Sequence, residues 1–355
     1  MKRVLFIALI LFCVLSPVRA SAEPLDYLED FEEILPDDLE VDVTDPNALT
    51  EAVGFEAILL EIYGILKDNG AALLGFLFTL MGLSVLGSLG TLVDIRLRSA
   101  VGAAISLVSA VTVSGRLVPI IRSVTVALSQ TGDFFGALIP IFTGITVAGG
   151  GVSTATVEAA GMSVSLAVIG AITSEILAPA VSVLFVFGML SDLGSLGGGL
   201  MRVVKGFFTW GIGIAAFLFG AAIALQTVIS TASDGMLMRT AKFAASSSVP
   251  MIGSAVGGAM STLASGLSYV KGITGGGAVA VIAAIALAPL VLLFAYRAIL
   301  SLATSFLGFI DAGGGMRCFS AMLAAIDSLI ATLSVSTIVY IFQIILFIKS
   351  GVAVL

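Results

Sequence analysis

The feature that most constrains this chain is the recurrence of apolar runs of bilayer length. A helix needs roughly 20 apolar residues to cross about 30 Å of hydrocarbon. Seven segments meet or approach that length: Gly70–Val93, Ser99–Gly115, Phe134–Ala148, Met162–Leu190, Gly206–Ser230, Gly277–Leu300 and Ser328–Ile348. Inside hydrocarbon the backbone must satisfy its own hydrogen bonds, so such runs predict helices. The expected class is all-α, a polytopic α-helical membrane protein of seven to eight spans. Composition agrees, with 59% hydrophobic and 11% charged residues, whereas soluble domains hold roughly a quarter charged.

The net charge of −7 is unevenly spread. Acidic residues crowd between Glu23 and Asp68, and the chain beyond is mildly basic. At the start, Lys2 and Arg3 precede Val4–Val18, an apolar core too short to span comfortably, and Ala20-Ser21-Ala22 supplies small residues for cleavage. Residues 1–22 therefore read as a signal peptide cut after Ala22; the other reading is an uncleaved anchor. Either way residues 23–68 form a short extracytoplasmic acidic N-terminal segment, followed by a polytopic helical membrane domain, 69–355. Within 23–68, Leu25, Leu28, Phe31 and Leu35, then Phe55, Leu59, Ile62 and Leu66, recur at helical spacing. Two short docking helices and a solvated acidic leader both fit that pattern. Cys13 lies in the signal core, so cleavage leaves Cys318 alone and no intrachain disulfide forms.

Lys and Arg in the loops do not choose an orientation, because they divide evenly between the two sides. Orientation rests on the signal peptide.

Prolines suggest an inverted internal repeat. Pro140 and Pro179 are spaced as Pro250 and Pro289 are, and GGGLMR ending at Arg202 matches GGGMR ending at Arg317. Three membrane elements per unit would give the units opposite orientation, as in many transport proteins. Chance similarity competes with this reading in a chain so rich in Gly, Ala and Leu. Glycine runs beginning at 149, 197, 275 and 313 are expected at element ends. The rows Gly82/Leu86/Gly90 and Ala216/Gly220/Ala224 are expected at close helix contacts.

The chain contains no histidine, and neither a phosphate-binding G-x-x-x-x-G-K-[ST] loop nor a G-x-S-x-G elbow occurs. The expectation is a non-enzyme without cofactors, metal or nucleic-acid partners. Charges within membrane then attract attention, because one carboxylate at mid-bilayer costs on the order of 3 kcal/mol. Glu175 is either a pathway residue or the mark of a kink before Pro179. Asp133, Glu158 and Asp192, close to glycine-rich breaks, read as loop residues.

Between two apolar runs lies SDGMLMRTAKFAASSSVPMIGSAVGGAMSTLASGLSYVKG, residues 233–272. Ser233 and Asp234 can cap a helix carrying Arg239 and Lys242 on one side, and Pro250 closes it or opens the next. Beyond Pro250, Val256, Met260, Leu263, Leu267 and Val270 form an apolar stripe beside Gly253, Gly257, Ser261, Ala264 and Ser268. That is the candidate eighth membrane element.

Asp234-Gly235, the run Arg239-Thr240-Ala241-Lys242-Phe243 and Pro250 closely resemble the signature region of the stage III sporulation protein AE family. The order of signal, short extracytoplasmic segment and polytopic domain is similar to that family as well. The resemblance implies a multi-pass protein of the cell membrane, in the mother-cell-derived outer forespore membrane during sporulation. It implies a non-enzymatic component of a channel or secretion-like complex linking mother cell and forespore. Implied partners are the other stage III sporulation operon proteins, including a secretion-type ATPase and ring-forming proteins, and a forespore membrane partner protein. The alternative is a self-sufficient inverted-repeat small-molecule permease. A platform subunit would depend on Asp234, Arg239, Lys242 and Pro250 for partner contact, a permease on Glu175 and the broken helices around Pro140 and Pro250.

Overall fold

The computed structural model describes residues 55–90, 95–149, 151–172, 206, 253–309 and 316–350. Five helices account for nearly all of them: α1 Phe55–Gly90, α2 Ile95–Ala148, α3 Val152–Ala171, α4 Gly253–Phe309 and α5 Met316–Ser350. Each contains a stretch long and apolar enough to cross a membrane, namely Glu56–Leu86, Leu107–Ala148, Val152–Ala171, Tyr269–Gly308 and Phe319–Lys349.

Two core clusters are stacked along the helices. The first joins Leu73, Phe76 and Leu80 of α1, Ala110–Leu128 of α2, Ala286–Leu307 of α4 and Phe319–Leu333 of α5. The second joins Phe134–Ile145 of α2, Met162 and Ile169 of α3, Ile273–Ile282 of α4 and Tyr340–Phe347 of α5. Helices α2, α4 and α5 thus run through both layers, with α4 antiparallel to the other two; α1 completes the first layer and α3 the second. At 1.5 Å per residue, the 54-residue α2 and the 57-residue α4 are each about 80 Å long, more than twice the hydrocarbon thickness.

This corrects the span count. Among the described residues there are five such helices, not seven to eight: two expected boundaries are absent, and all but the first residue of the expected span Gly206–Ser230 lies outside the described residues. Ser99–Gly115 and Phe134–Ala148 are parts of one helix, α2, with Pro119 and Pro140 inside it. The stretch after Pro250 and Gly277–Leu300 likewise belong to one helix, α4, with Pro289 inside. Helices in membrane surroundings tolerate Pro and Gly within their length. The glycine run at 149–151 does separate α2 from α3, and that at 313–315 lies between α4 and α5, but the run at 275–277 is helical. Residues 1–54, the remainder of Met162–Leu190 and all but the first residue of Gly206–Ser230 lie outside the described residues.

Side-chain chemistry suits an apolar surround. Thr79, Ser84, Ser114, Thr131, Thr143, Ser328, Thr332 and Thr337 each donate the hydroxyl to the carbonyl four residues earlier. A hydroxyl that bonds its own helix asks nothing of lipid. Large apolar side chains also face outward, among them Leu74, Phe78, Val111, Phe294, Leu302 and Ile338. In water such a surface would drive aggregation.

Close approach of helices is local and specific. Gly132 and Gly136 of α2 receive Leu166 of α3, whose methyls lie 3.6 and 3.3 Å from where a Cβ would stand. This Gly-x-x-x-Gly pair brings the two helices together. Gly82, by contrast, faces open space. The turn Leu59–Leu66 is helical as expected, but Leu59, Leu60, Tyr63 and Leu66 are exposed.

Candidate functional site

The two layers differ in what they bury. The first buries apolar groups and hydroxyls such as Ser109, Ser328 and Thr332, with Phe76 and Tyr296 in ring contact at 5.4 Å. The second encloses two charged side chains, Glu158 at 4% exposure and Lys271 at 5%. Burying a charge is costly unless it is paired and hydrogen-bonded. Glu158 Oε2 accepts a 3.0 Å hydrogen bond from Thr146 Oγ1, and its charge acts on Lys271 of α4. Lys271 Nζ also sits 4.4 Å from the centre of the Phe347 ring, a favourable place for a cation. Phe347 in turn stacks on Phe142 at 3.8 Å, nearly parallel.

The local sequence explains this convergence. Ala155, Glu158, Met162, Ser165 and Ile169 recur by threes and fours, placing Glu158 on the buried face of α3. On α4, Lys271, Thr274, Ala278 and Val281 do the same. The glycine corner fixes the level of Glu158: Gly149 and Gly151 donate backbone N–H bonds to Ile145 and Thr146, closing the end of α2 as α3 begins. Nearby, Gln343 Nε2 of α5 donates to Ser165 Oγ at 2.9 Å, which itself donates to the Gly161 carbonyl. At Gly275, one turn beyond Lys271, α4 and α5 come so close that an added methyl would overlap Ile348.

At the junction of the layers a groove of about 950 Å³ opens between α1, α2 and α4. The face of α2 carrying Pro119, Ser123, Val126, Gln130, Asp133 and Ala137 forms one wall, with Arg122 beside it. Glu61 contributes from α1, and Ile285 and Pro289 from α4. Proline has no N–H, so the Ile285 carbonyl lacks its normal helical donor at Pro289. Asp133 accepts a long 3.4 Å bond from Ser129. Among the described residues, Glu61, Arg122 and Asp133 form no ion pair.

A third charged feature lies on the outside of the first layer, where Arg297 of α4 and Asp327 of α5 form an ion pair at 2.5 Å with side chains 48% and 40% exposed. Both residues stand inside apolar stretches.

Sequence reading and structure meet unevenly here. Glu175, Asp234, Arg239, Lys242 and Pro250 lie outside the described residues, so nothing in the fold bears on their roles. Asp133 and Glu158 are corrected from loop to helix: Asp133 lies in the middle of α2, and Glu158 lies two turns into α3. Lys271, which falls between the expected element ending at Val270 and the expected span beginning at Gly277, is a core residue of α4. The three-and-four spacing around each was the available signal. Among the described residues no three His, Cys, Asp or Glu side chains gather as a metal site.

No curated protein and no solved structure matches the chain. The family profile of stage III sporulation protein AE matches residues 54–351, from one residue before α1 to one residue after α5. The whole described helical body is thus covered, and the chain belongs to the stage III sporulation protein AE family.

Proposed function

We propose that this protein is a non-enzymatic membrane subunit of the sporulation channel or secretion-like complex that links mother cell and forespore. It works from the mother-cell-derived outer forespore membrane and supports forespore development after engulfment. The observation that carries this reading is the family match over the entire described helical body. Two features of the fold support a subunit over a self-sufficient carrier. The Arg297–Asp327 pair stands half-exposed within apolar stretches, where lipid is a poor neighbour for charge and another polypeptide a better one. Among the described residues, Leu59, Leu60, Tyr63 and Leu66 of α1 are also exposed. Partners in this reading are the secretion-type ATPase and ring-forming proteins of the same operon, and a forespore membrane protein.

The test pairs two measurements. The protein, tagged and recovered from sporulating cells, is expected to bring those partners with it, and the protein alone in liposomes is expected to pass no solute. Solute flux by the purified protein, together with recovery free of partners, would overturn the reading in favour of a permease.

A further inference from the structure

We infer that the groove between α1, α2 and α4 is a binding site for a short peptide with free termini, about four to five residues long. Arg122 and Asp133 stand on one wall with opposite charge, eleven positions apart. That separation is about 16 Å along the helix, too far for the two to pair with each other. An extended peptide advances about 3.3–3.6 Å per residue, so four to five residues carry a terminal carboxylate to Arg122 and a terminal ammonium to Asp133.

The groove floor is suited to main-chain amides. Gln130 lies between the two charges and offers both a donor and an acceptor. The Ile285 carbonyl, deprived of its helical partner by Pro289, is an acceptor for a peptide N–H. Val126 and Ala284 give apolar contact for small side chains. A cavity of about 950 Å³ has ample room for a ligand of this size. Glu61 is the third charge of the lining, so the groove carries a net charge of −1 and favours a peptide with one basic side chain over one with an acidic side chain. Glu61, Arg122 and Asp133 are exposed, and none is held in an ion pair among the described residues.

This inference does not depend on the sporulation complex, and its test needs no partner. The full chain in nanodiscs is titrated with tritiated Ala-Ala-Lys-Ala, and competitors are added at equilibrium. Saturable binding is expected. N-acetylation or C-amidation of the peptide should each weaken it at least about tenfold, and Ala-Ala-Glu-Ala should bind at least about tenfold less tightly. Free alanine and dialanine should compete poorly, being too short to reach both charges. Arg122→Gln should abolish the preference for a free carboxylate while keeping that for a free amine, and Asp133→Asn should do the reverse. Because each variant retains one of the two preferences, a misfolded protein is distinguishable from a lost contact. Absence of saturable binding, equal binding of the doubly capped peptide, or complete displacement by phosphatidylglycerol would each overturn the assignment, the last in favour of a lipid site. None of these outcomes would disturb the partner-based reading above.

Discussion

Thr146 Oγ1 donates a hydrogen bond to Glu158 Oε2, tying the last turn of α2 to the second turn of α3 across the glycine corner. The bond holds a carboxylate in the second layer where it acts on Lys271. Removing one member of a buried charge pair strands the other and costs about 3–5 kcal/mol. Glu158→Gln is therefore expected to lower unfolding stability by about 3 kcal/mol, and Glu158→Gln with Lys271→Met should recover most of that loss. Reversible unfolding in detergent by a double-mutant cycle measures it. Additive losses would mean that the two charges do not support each other.

The approach of α4 to α5 at Gly275 makes a second prediction. Gly275→Ala places a methyl against Ile348 and should destabilise the protein by about 1–3 kcal/mol, although alanine is the better helix former. Adding Ile348→Ala should relieve the overlap. The melting temperatures of the single and double variants decide it, and a stabilised Gly275→Ala protein would show that the helices separate there.

Arg297 and Asp327 form their pair from different helices, so charge reversal is informative. Arg297→Ala and Asp327→Ala each leave a lone charge on an apolar exterior, with an expected loss of roughly 1–3 kcal/mol. Exchange of the two residues, Arg297→Asp with Asp327→Arg, should restore most of it. The yield of folded protein on fluorescence-detected gel filtration reports the result. Wild-type yield from both single variants would place the pair in ordinary water contact, where such bridges contribute little.

Pro289 leaves the Ile285 carbonyl without a helical donor. Proline in a helix interior costs about 3 kcal/mol relative to alanine, so Pro289→Ala should raise the unfolding midpoint. An unchanged or lower midpoint would mean that the proline ring's packing outweighs the missing bond.

The class of the fold was legible because a chain with so many bilayer-length apolar runs has few alternatives. The number of helices was less legible. Pro119, Pro140, Pro289 and the glycines at 275–277 are breakers in water, yet here they sit inside helices packed on neighbours. The segment from Arg116 to Asp133 falls between two expected spans because its charged and polar residues interrupt the apolar run. Their spacing, Pro119, Ser123, Val126, Gln130 and Asp133, puts them on one face of a continuous helix, toward the groove. Glu158 was legible in the same way from Ala155, Met162, Ser165 and Ile169. What no spacing could supply was convergence: that Glu158, Lys271 and Phe347, from three helices, meet in one layer is a property of tertiary packing.

The groove and the two-layer core both require α2 to run unbroken from one layer into the other. Spin labels at Val111→Cys and Ala148→Cys, with Cys13 and Cys318 replaced, measure this by pulsed dipolar spectroscopy. Both positions are exposed. A continuous helix sets them about 55 Å apart. Two antiparallel spans, Ser99–Gly115 and Phe134–Ala148, would bring them to roughly 15–20 Å, as the 1.5 Å rise and ordinary helix spacing dictate. The long distance is the expected result, and the short one would contradict the architecture on which the groove depends.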